Sequence, residues 1–228
     1  MPKPRSGHRI VTDDEGNVYS YGGYNPNIDD DPDLMDDEDW LETKPLFKEL
    51  WKFNISNKKW IKLKTSGEAP VHLASHCVVL VDRYLFVFGG TGCPFGFNSS
   101  NKLYVCNLDT LKWNLIKAHG DIPQEQYGQA MVYDHHENCL YVVGGTNGYI
   151  YSIDIHQFDF DKMEWKILFK KSPTKYNAWP LERYRHEMAL YSNKLFIIGG
   201  GTAQECYDLK LVSLVFAMLL RRLQLSHL

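Results

Sequence analysis

Residues 84–90 read YLFVFGG. Aromatic and β-branched side chains suit a strand, here one that ends abruptly on two glycines. A strand followed by glycines is also where phosphate-binding loops occur. Such a loop needs a lysine in the G-x-x-x-x-G-K-S/T spacing and a helix behind the glycines. The chain offers neither, because TGCPFGFNSSNK (91–102) leads into LYVCNL (103–108), which reads as another strand. The glycines therefore serve the backbone, and the question becomes why they come as a pair.

The pair recurs. YGG (21–23), FGG (88–90), VGG (143–145) and IGG (198–200) place it at intervals of 67, 55 and 55 residues. A second register follows it: Trp60, Trp113 and Trp165 each stand six residues after Asn54, Asn107 or Asp159. A third register precedes it: Pro2, Pro70, Pro123 and Pro180 stand six residues before His8, His76, Gln129 and His186. Markers in fixed order at a near-fixed period are the signature of a repeat protein. Within one unit the strands are HCVVLV (76–81), YLFVFGG, LYVCNL and KWNLIK (112–117), joined by polar turns such as Asp82-Arg83 or, in the last unit, Asn193. Short even strands with polar turns predict all-β structure. A four-stranded sheet cannot bury both faces alone, whereas sheets arranged radially bury them against one another. The glycines then allow close approach and unusual φ, the tryptophan fills the space between sheets, and Asn or Asp suits the outer turn. The expected units are 1–65, with an acidic insertion at 25–44, then 66–118, 119–171, a partial 172–208, and an atypical apolar tail at 209–228.

Composition narrows the function. The 228 residues are 44% hydrophobic and 14% aromatic, enough to build a sizeable core. Eight carboxylates crowd into DDDPDLMDDED (29–39), so the remainder carries +5 against −3 for the whole chain. That run reads as a solvated loop or as a docking segment for a basic partner. The five cysteines (Cys77, Cys93, Cys106, Cys139, Cys206) form no C-x-x-C pair, which argues against a disulfide framework or a zinc site. MPKPRSGHR lacks the apolar core of a signal peptide, so the cytoplasm, the nucleus or both are the expected location. LVSLVFAMLL (211–220) is too short to span a bilayer, and neither a membrane nor a nucleic-acid partner is expected. His135-His136-Glu137 is not H-E-x-x-H, and no G-x-S-x-G elbow occurs. Histidines that recur at one repeat position predict packing between units, not ligation. The expectation is a non-catalytic protein without metal or cofactor.

The double glycine followed by a tryptophan in units of about 50 residues resembles the kelch repeat. The resemblance covers residues 1–201. It implies a kelch-type β-propeller of about three complete blades plus a partial fourth, apparently truncated, with a short C-terminal helical tail. Longer phrases, YGGYNPN (21–27), GGTNGYIYSIDIH (144–156) and RYRHE (183–187), are similar to kelch receptors of ubiquitin ligases. That similarity implies the substrate-recognition subunit of a cullin-2 RING ligase. Such a subunit docks through elongin B/C and captures C-terminal degrons ending in glycine for proteasomal degradation. The alternative is a kelch scaffold or signalling-interaction protein, or a non-functional truncated form, with no ligase role.

The segments before each histidine-register residue read RSG (5–7), LAS (73–75), QYG (126–128) and RYR (183–185). In kelch receptors the first of these positions is often an arginine that reaches the pocket. The resemblance therefore singles out Arg5 and Arg183, with Ser75 and Arg185 beside them. A guanidinium fork pairs with a carboxylate through two parallel bonds, and a free peptide C-terminus is a carboxylate. Tyr149, Tyr151 and Tyr184 would supply amphipathic walls. The competing reading is that these arginines bind backbone carbonyls between blades. In the tail, Ser213 and Leu214 match the start of an elongin-binding helix of the form S/T-L-x-x-x-C-x-x-x-A. Met218 replaces its cysteine and Arg222 its small residue, so elongin binding is expected to be weak or absent.

Overall fold

The computed structural model describes residues 1–27, 41, 43–171 and 180–206, and the backbone of 212–215. The acidic run 29–39, Met218 and the rest of the apolar tail lie outside the described residues.

Every named element is a strand, and the strands form four sheets. Sheet 1 contains β1 (Arg9–Thr12), β2 (Asn17–Tyr21), β3 (Leu50–Asn54) and β4 (Lys59–Leu63). Sheet 2 contains β5 (Ser66–Gly67), β6 (Cys77–Val81), β7 (Tyr84–Phe88), β8 (Leu103–Asn107) and β9 (Lys112–Ile116). Sheet 3 contains β10 (His119–Gly120), β11 (Ala130–Asp134), β12 (Cys139–Thr146), β13 (Tyr151–Asp159) and β14 (Glu164–Phe169). Sheet 4 contains β15 (Glu187–Tyr191), β16 (Lys194–Ile198) and β17 (Val212–Val215). Chain neighbours pair antiparallel within each sheet, while β5 and β10 pair parallel along β9 and β14.

The outer turn forms for the reason its sequence suggests. The Asn107 side-chain oxygen accepts the amides of Asp109 (2.9 Å) and Thr110 (3.1 Å). Asp159 does the same for Asp161 (3.1 Å) and Lys162 (3.0 Å), and Asn54 for Asn57 (3.1 Å). A left-handed residue then feeds each outer strand: Lys58, Leu111 or Met163. An Asx side chain that stands in for backbone acceptors is what makes this turn cheap.

One expectation is corrected at the C-terminal end. The residues VSLV (212–215) were expected at the start of a helix, yet they pair with β16, Phe196 opposite Ser213 and Leu195 opposite Leu214. The reason is local. Three of the four are Val or Leu, and the free edge of β16 offers them a full ladder of partners. The fourth sheet thus has a third strand. Ser213 and Leu214 are extended, not on the first turn of an adaptor-binding helix.

The chain divides into two compact units. The first is Met1–Lys117 with Gln124–Tyr127, and the second is Ala118–Pro123 with Gly128–Leu228. The first is held by a core in which Tyr19 and Tyr21 of β2 meet Leu85 and Val87 of β7 and Trp113 of β9. The second has a smaller core, where Tyr141 and Val143 of β12 and Ile155 of β13 meet Leu195 and Ile197 of β16.

Within each unit one glycine pair sits at the joint between its two sheets. Gly22 and Gly23 have φ of +69° and +95°, and Gly144 and Gly145 have +66° and +101°. The Gly23 amide donates to the Leu73 carbonyl of the next repeat at 2.7 Å, and the Gly145 amide donates to the Arg183 carbonyl at 2.9 Å. The histidine of the next repeat lies against the first glycine. A Cβ at Gly22 or at Gly144 would come 2.7 Å from Cε1 of His76 or His186. Two of the three repeated markers are therefore the two halves of one contact.

The buried histidine of this joint makes stability pH-dependent. His76 is fully buried, and that burial, helped by the charge of Arg9, drives its pKa down from 6.5 to about 3. The folded state thus keeps the ring neutral where the unfolded chain would protonate it. Stability is complete above pH 6.5 and falls as pH drops toward 3, by ~1.4 kcal/mol per pH unit for this one group. Urea midpoints at neutral and mildly acid pH should differ less in His76→Gln, which carries the residue found at Gln129. An equal acid loss in both proteins would assign the effect elsewhere.

Candidate functional site

The loops that precede β1 and β15 carry the candidate arginines, and the loop before β6 carries Ser75. In the first unit the Arg5 side chain is only 4% exposed and lies over the Phe47 ring, its guanidinium carbon 3.8 Å from the centroid. It donates to the carbonyls of Lys3 (3.0 Å) and Gly22 (3.4 Å) and to Glu49 Oε2 (2.6 Å). Glu49 is itself buried and also accepts from Trp51 Nε1 (2.8 Å), with Lys62 Nζ at 3.2 Å. Burial alone would raise the Glu49 pKa. The hydrogen bonds from Trp51 and Arg5, with the charges of Arg5 and Lys62, outweigh it and hold the carboxyl below its ordinary value.

Arg183, in the second unit, repeats the pattern. It is buried, and donates to the carbonyls of Leu181 (3.1 Å) and Gly199 (2.9 Å). Each arginine thus binds the carbonyl two residues back and that of the first glycine in its own sheet's pair. Ser75, in the first unit, is half-buried with φ of +55°, and its amide donates to the Gly7 carbonyl at 2.8 Å.

The remaining candidates gather in the second unit. Arg185 has φ of +56° and donates its amide to the Gly128 carbonyl at 2.7 Å. Its side chain is exposed, and the guanidinium carbon stands 5.2 Å from the Tyr184 ring centroid. The Tyr184 ring is 5.3 Å from that of Tyr151, and the Tyr151 hydroxyl accepts the Ala203 amide at 3.1 Å. That bond ties the loop after β16 to the start of β13. Tyr149 lies in the turn before β13: Asn147 Oδ1 accepts the amides of Tyr149 (3.0 Å) and Ile150 (2.9 Å), and the two side chains are 71% and 63% exposed. An exposed cation near a tyrosine that packs on a second, braced tyrosine has the composition of a protein-binding surface. Among the described residues no three His, Cys, Asp or Glu side chains group as a metal site.

The repeat geometry can now be compared with known proteins. The KLHDC2/KLHL20/DRC7 Kelch-repeats domain matches residues 1–200. The chain belongs to the kelch-repeat family. Kelch domain-containing protein 10 of Xenopus tropicalis is 43% identical over 209 residues, covering 92% of this chain and 48% of that protein. The Drosophila melanogaster homolog of that protein is 35% identical over 217 residues, covering 92% of this chain and 34% of the fly protein. More distantly, a Thlaspi arvense protein named N-(sulfonatooxy)prop-2-enimidothioate sulfolyase is 31% identical over 144 residues, 62% of this chain and 40% of that protein. This kelch chain spans just under half the length of the frog relative. Its successive sheets and glycine joints are consistent with a kelch propeller, and kelch repeats of this kind serve protein–protein interaction.

Sequence reasoning did not single out Glu49, which decides the fate of Arg5. A lone acid in FKEL (47–50) carries no spacing signal, and its partner stands 44 residues earlier.

Proposed function

We propose that this kelch chain recognises protein substrates by their C-termini for ubiquitination, and that Arg185 with Tyr184 and Tyr151 forms the receiving surface. The observation that carries the reading is the division of labour between two arginines two residues apart. Arg183 spends its guanidinium on backbone carbonyls inside the repeat, while Arg185 presents its own to solvent over an aromatic pair. A guanidinium kept near a ring, 5.2 Å from the Tyr184 centroid, has part of its freedom spent before a carboxylate arrives. Arg5 and Ser75 support the loops of the first unit in this reading. The link to elongin B/C and cullin-2 is carried by the kelch-receptor resemblance, and Ser213 and Leu214, being in β17, are not assigned to it.

Binding of glycine-ended peptides to the 228-residue chain tests the surface. Loss of a charge-assisted contact in Arg185→Ala should cost about 1.5–3 kcal/mol, or roughly tenfold to hundredfold in Kd. Amidating the peptide C-terminus should weaken wild-type binding comparably and add little to the Arg185→Ala loss. A kelch scaffold that binds internal segments would be indifferent to amidation, and that outcome would replace this reading.

A further inference from the structure

The loop between β7 and β8 (89–102) builds a cleft in the first unit. The loop is closed by its own groups. Thr91 Oγ1 accepts the Gly96 amide (3.2 Å) and donates to the Asn98 carbonyl (3.1 Å), which also accepts the Gly92 amide (2.7 Å). The segment before β11 packs on it: the Gln126 amide donates to the Ser100 carbonyl, and the Gly90 amide to the Gln126 carbonyl, both at 3.0 Å. Glu125 is thereby brought to the loop, with His72 from the segment before β6. Together they line a cleft of about 220 Å³. That volume suits a terminal group and not a whole cofactor.

The lining has a definite hydrogen-bonding sense. Asn98 Nδ2 donates to the Cys93 carbonyl (3.3 Å), so Asn98 Oδ1 stands 2.8 Å from His72 Nε2 as the acceptor. Nε2 then carries the proton, and Nδ1 of the neutral ring is left as an acceptor. That Nδ1 is buried with no hydrogen-bond partner among the described residues, and so is Ser99 Oγ in the same lining. Buried polar atoms are seldom left so, and these two mark where a donor is wanted. Two charges complete the cleft. Lys102 and Glu125 are both exposed, and neither forms an ion pair among the described residues.

We infer that this cleft binds an α-ammonium group together with its neighbouring carbonyl oxygen, the chemistry shared by a polypeptide N-terminus and a free amino acid. An ammonium donates three hydrogen bonds, and the cleft offers three acceptors: a Glu125 oxygen, His72 Nδ1 and Ser99 Oγ. The Lys102 ammonium takes the carbonyl oxygen. Phe97, 73% exposed in the same lining, offers an apolar surface to the first side chain. Lys102 disfavours a lone cation and Glu125 a lone anion, so the pair selects a ligand that carries donor and acceptor side by side. The site shares no residue with the Arg185 surface.

A nuclear magnetic resonance titration of the 228-residue chain with Leu-Ala-Ala amide tests this. The blocked C-terminus of that peptide silences any carboxylate capture at Arg185. The backbone amide signals of residues 98–102 and of Glu125 should shift with the free peptide and stay still with its N-acetyl form. Glu125→Gln keeps the shape and loses the charge, and should raise Kd roughly tenfold or more. Lys102→Met should weaken binding too. Both positions are exposed, so neither substitution disturbs the core. Free leucine that binds as well as the peptide assigns the site to amino acids, and leucine that does not bind assigns it to N-termini; either result upholds the shared chemistry. No shift at these signals up to millimolar peptide, an equal response to the acetylated peptide, or wild-type binding by Glu125→Gln would overturn the inference.

Discussion

Glu49→Ala should lower the stability of the first unit by roughly 3–5 kcal/mol, because it strands a buried guanidinium. Arg5 and Glu49 have side-chain exposures of only 4% and 8%, so water does little to screen their pairing or to rescue the partner left behind. Deleting the carboxylate also removes the acceptor of Trp51 Nε1 and the counter-charge of Lys62. Trp51 makes the effect visible, since its fluorescence reports the site during urea unfolding. The double variant Arg5→Met with Glu49→Leu should recover most of the loss. Removing both charges leaves no buried charge uncompensated, whereas removing one does, and the lost acceptor of Trp51 Nε1 accounts for the remainder. A loss in Glu49→Ala of under about 1 kcal/mol would mean that water reaches Arg5 after all.

Gly22→Ala should be nearly as damaging, at roughly 3 kcal/mol or more. Two costs add. The backbone sits at φ +69°, where a Cβ costs about 1–2 kcal/mol for any residue. That Cβ would also stand 2.5 Å from the Leu73 carbonyl oxygen and 2.7 Å from His76 Cε1, so the joint must open to admit it. Gly16 is the natural control. It too is left-handed, at φ +78°, but its Cβ would meet nothing within 4 Å. Gly16→Ala should therefore show the strain cost alone, and the gap between the two thermal midpoints measures the joint. Equal losses would mean that the glycine pair is kept for its φ and not for the approach of the histidine.

Much of the architecture was legible in the chain because it is repeated. A single Gly-Gly has many explanations, but four at a near-fixed period have few when proline precedes all four, a histidine three of them, and a tryptophan follows three. The outer turn was legible at Asn54, Asn107 and Asp159, since an Asx side chain acts on its own backbone. β17 was not. VSLV (212–215) is short and apolar, and such a run reads equally as helix or strand until an open edge claims it.

The candidate site divides along the same line. The sequence by itself determined the repeat and its four recurring strands, the outer turns and the loops that carry the arginines. These depend on residues acting within a repeat or at one period's distance. Only the tertiary structure decided which arginine is scaffold and which is surface. Arg5 is neutralised by a carboxylate 44 residues away, and Arg183 is drawn inward to the Gly199 carbonyl 16 residues ahead. Arg185, two positions on, stays outside over Tyr184. The same residue type at neighbouring positions meets opposite fates because burial and hydrogen-bond partners are properties of the folded neighbourhood.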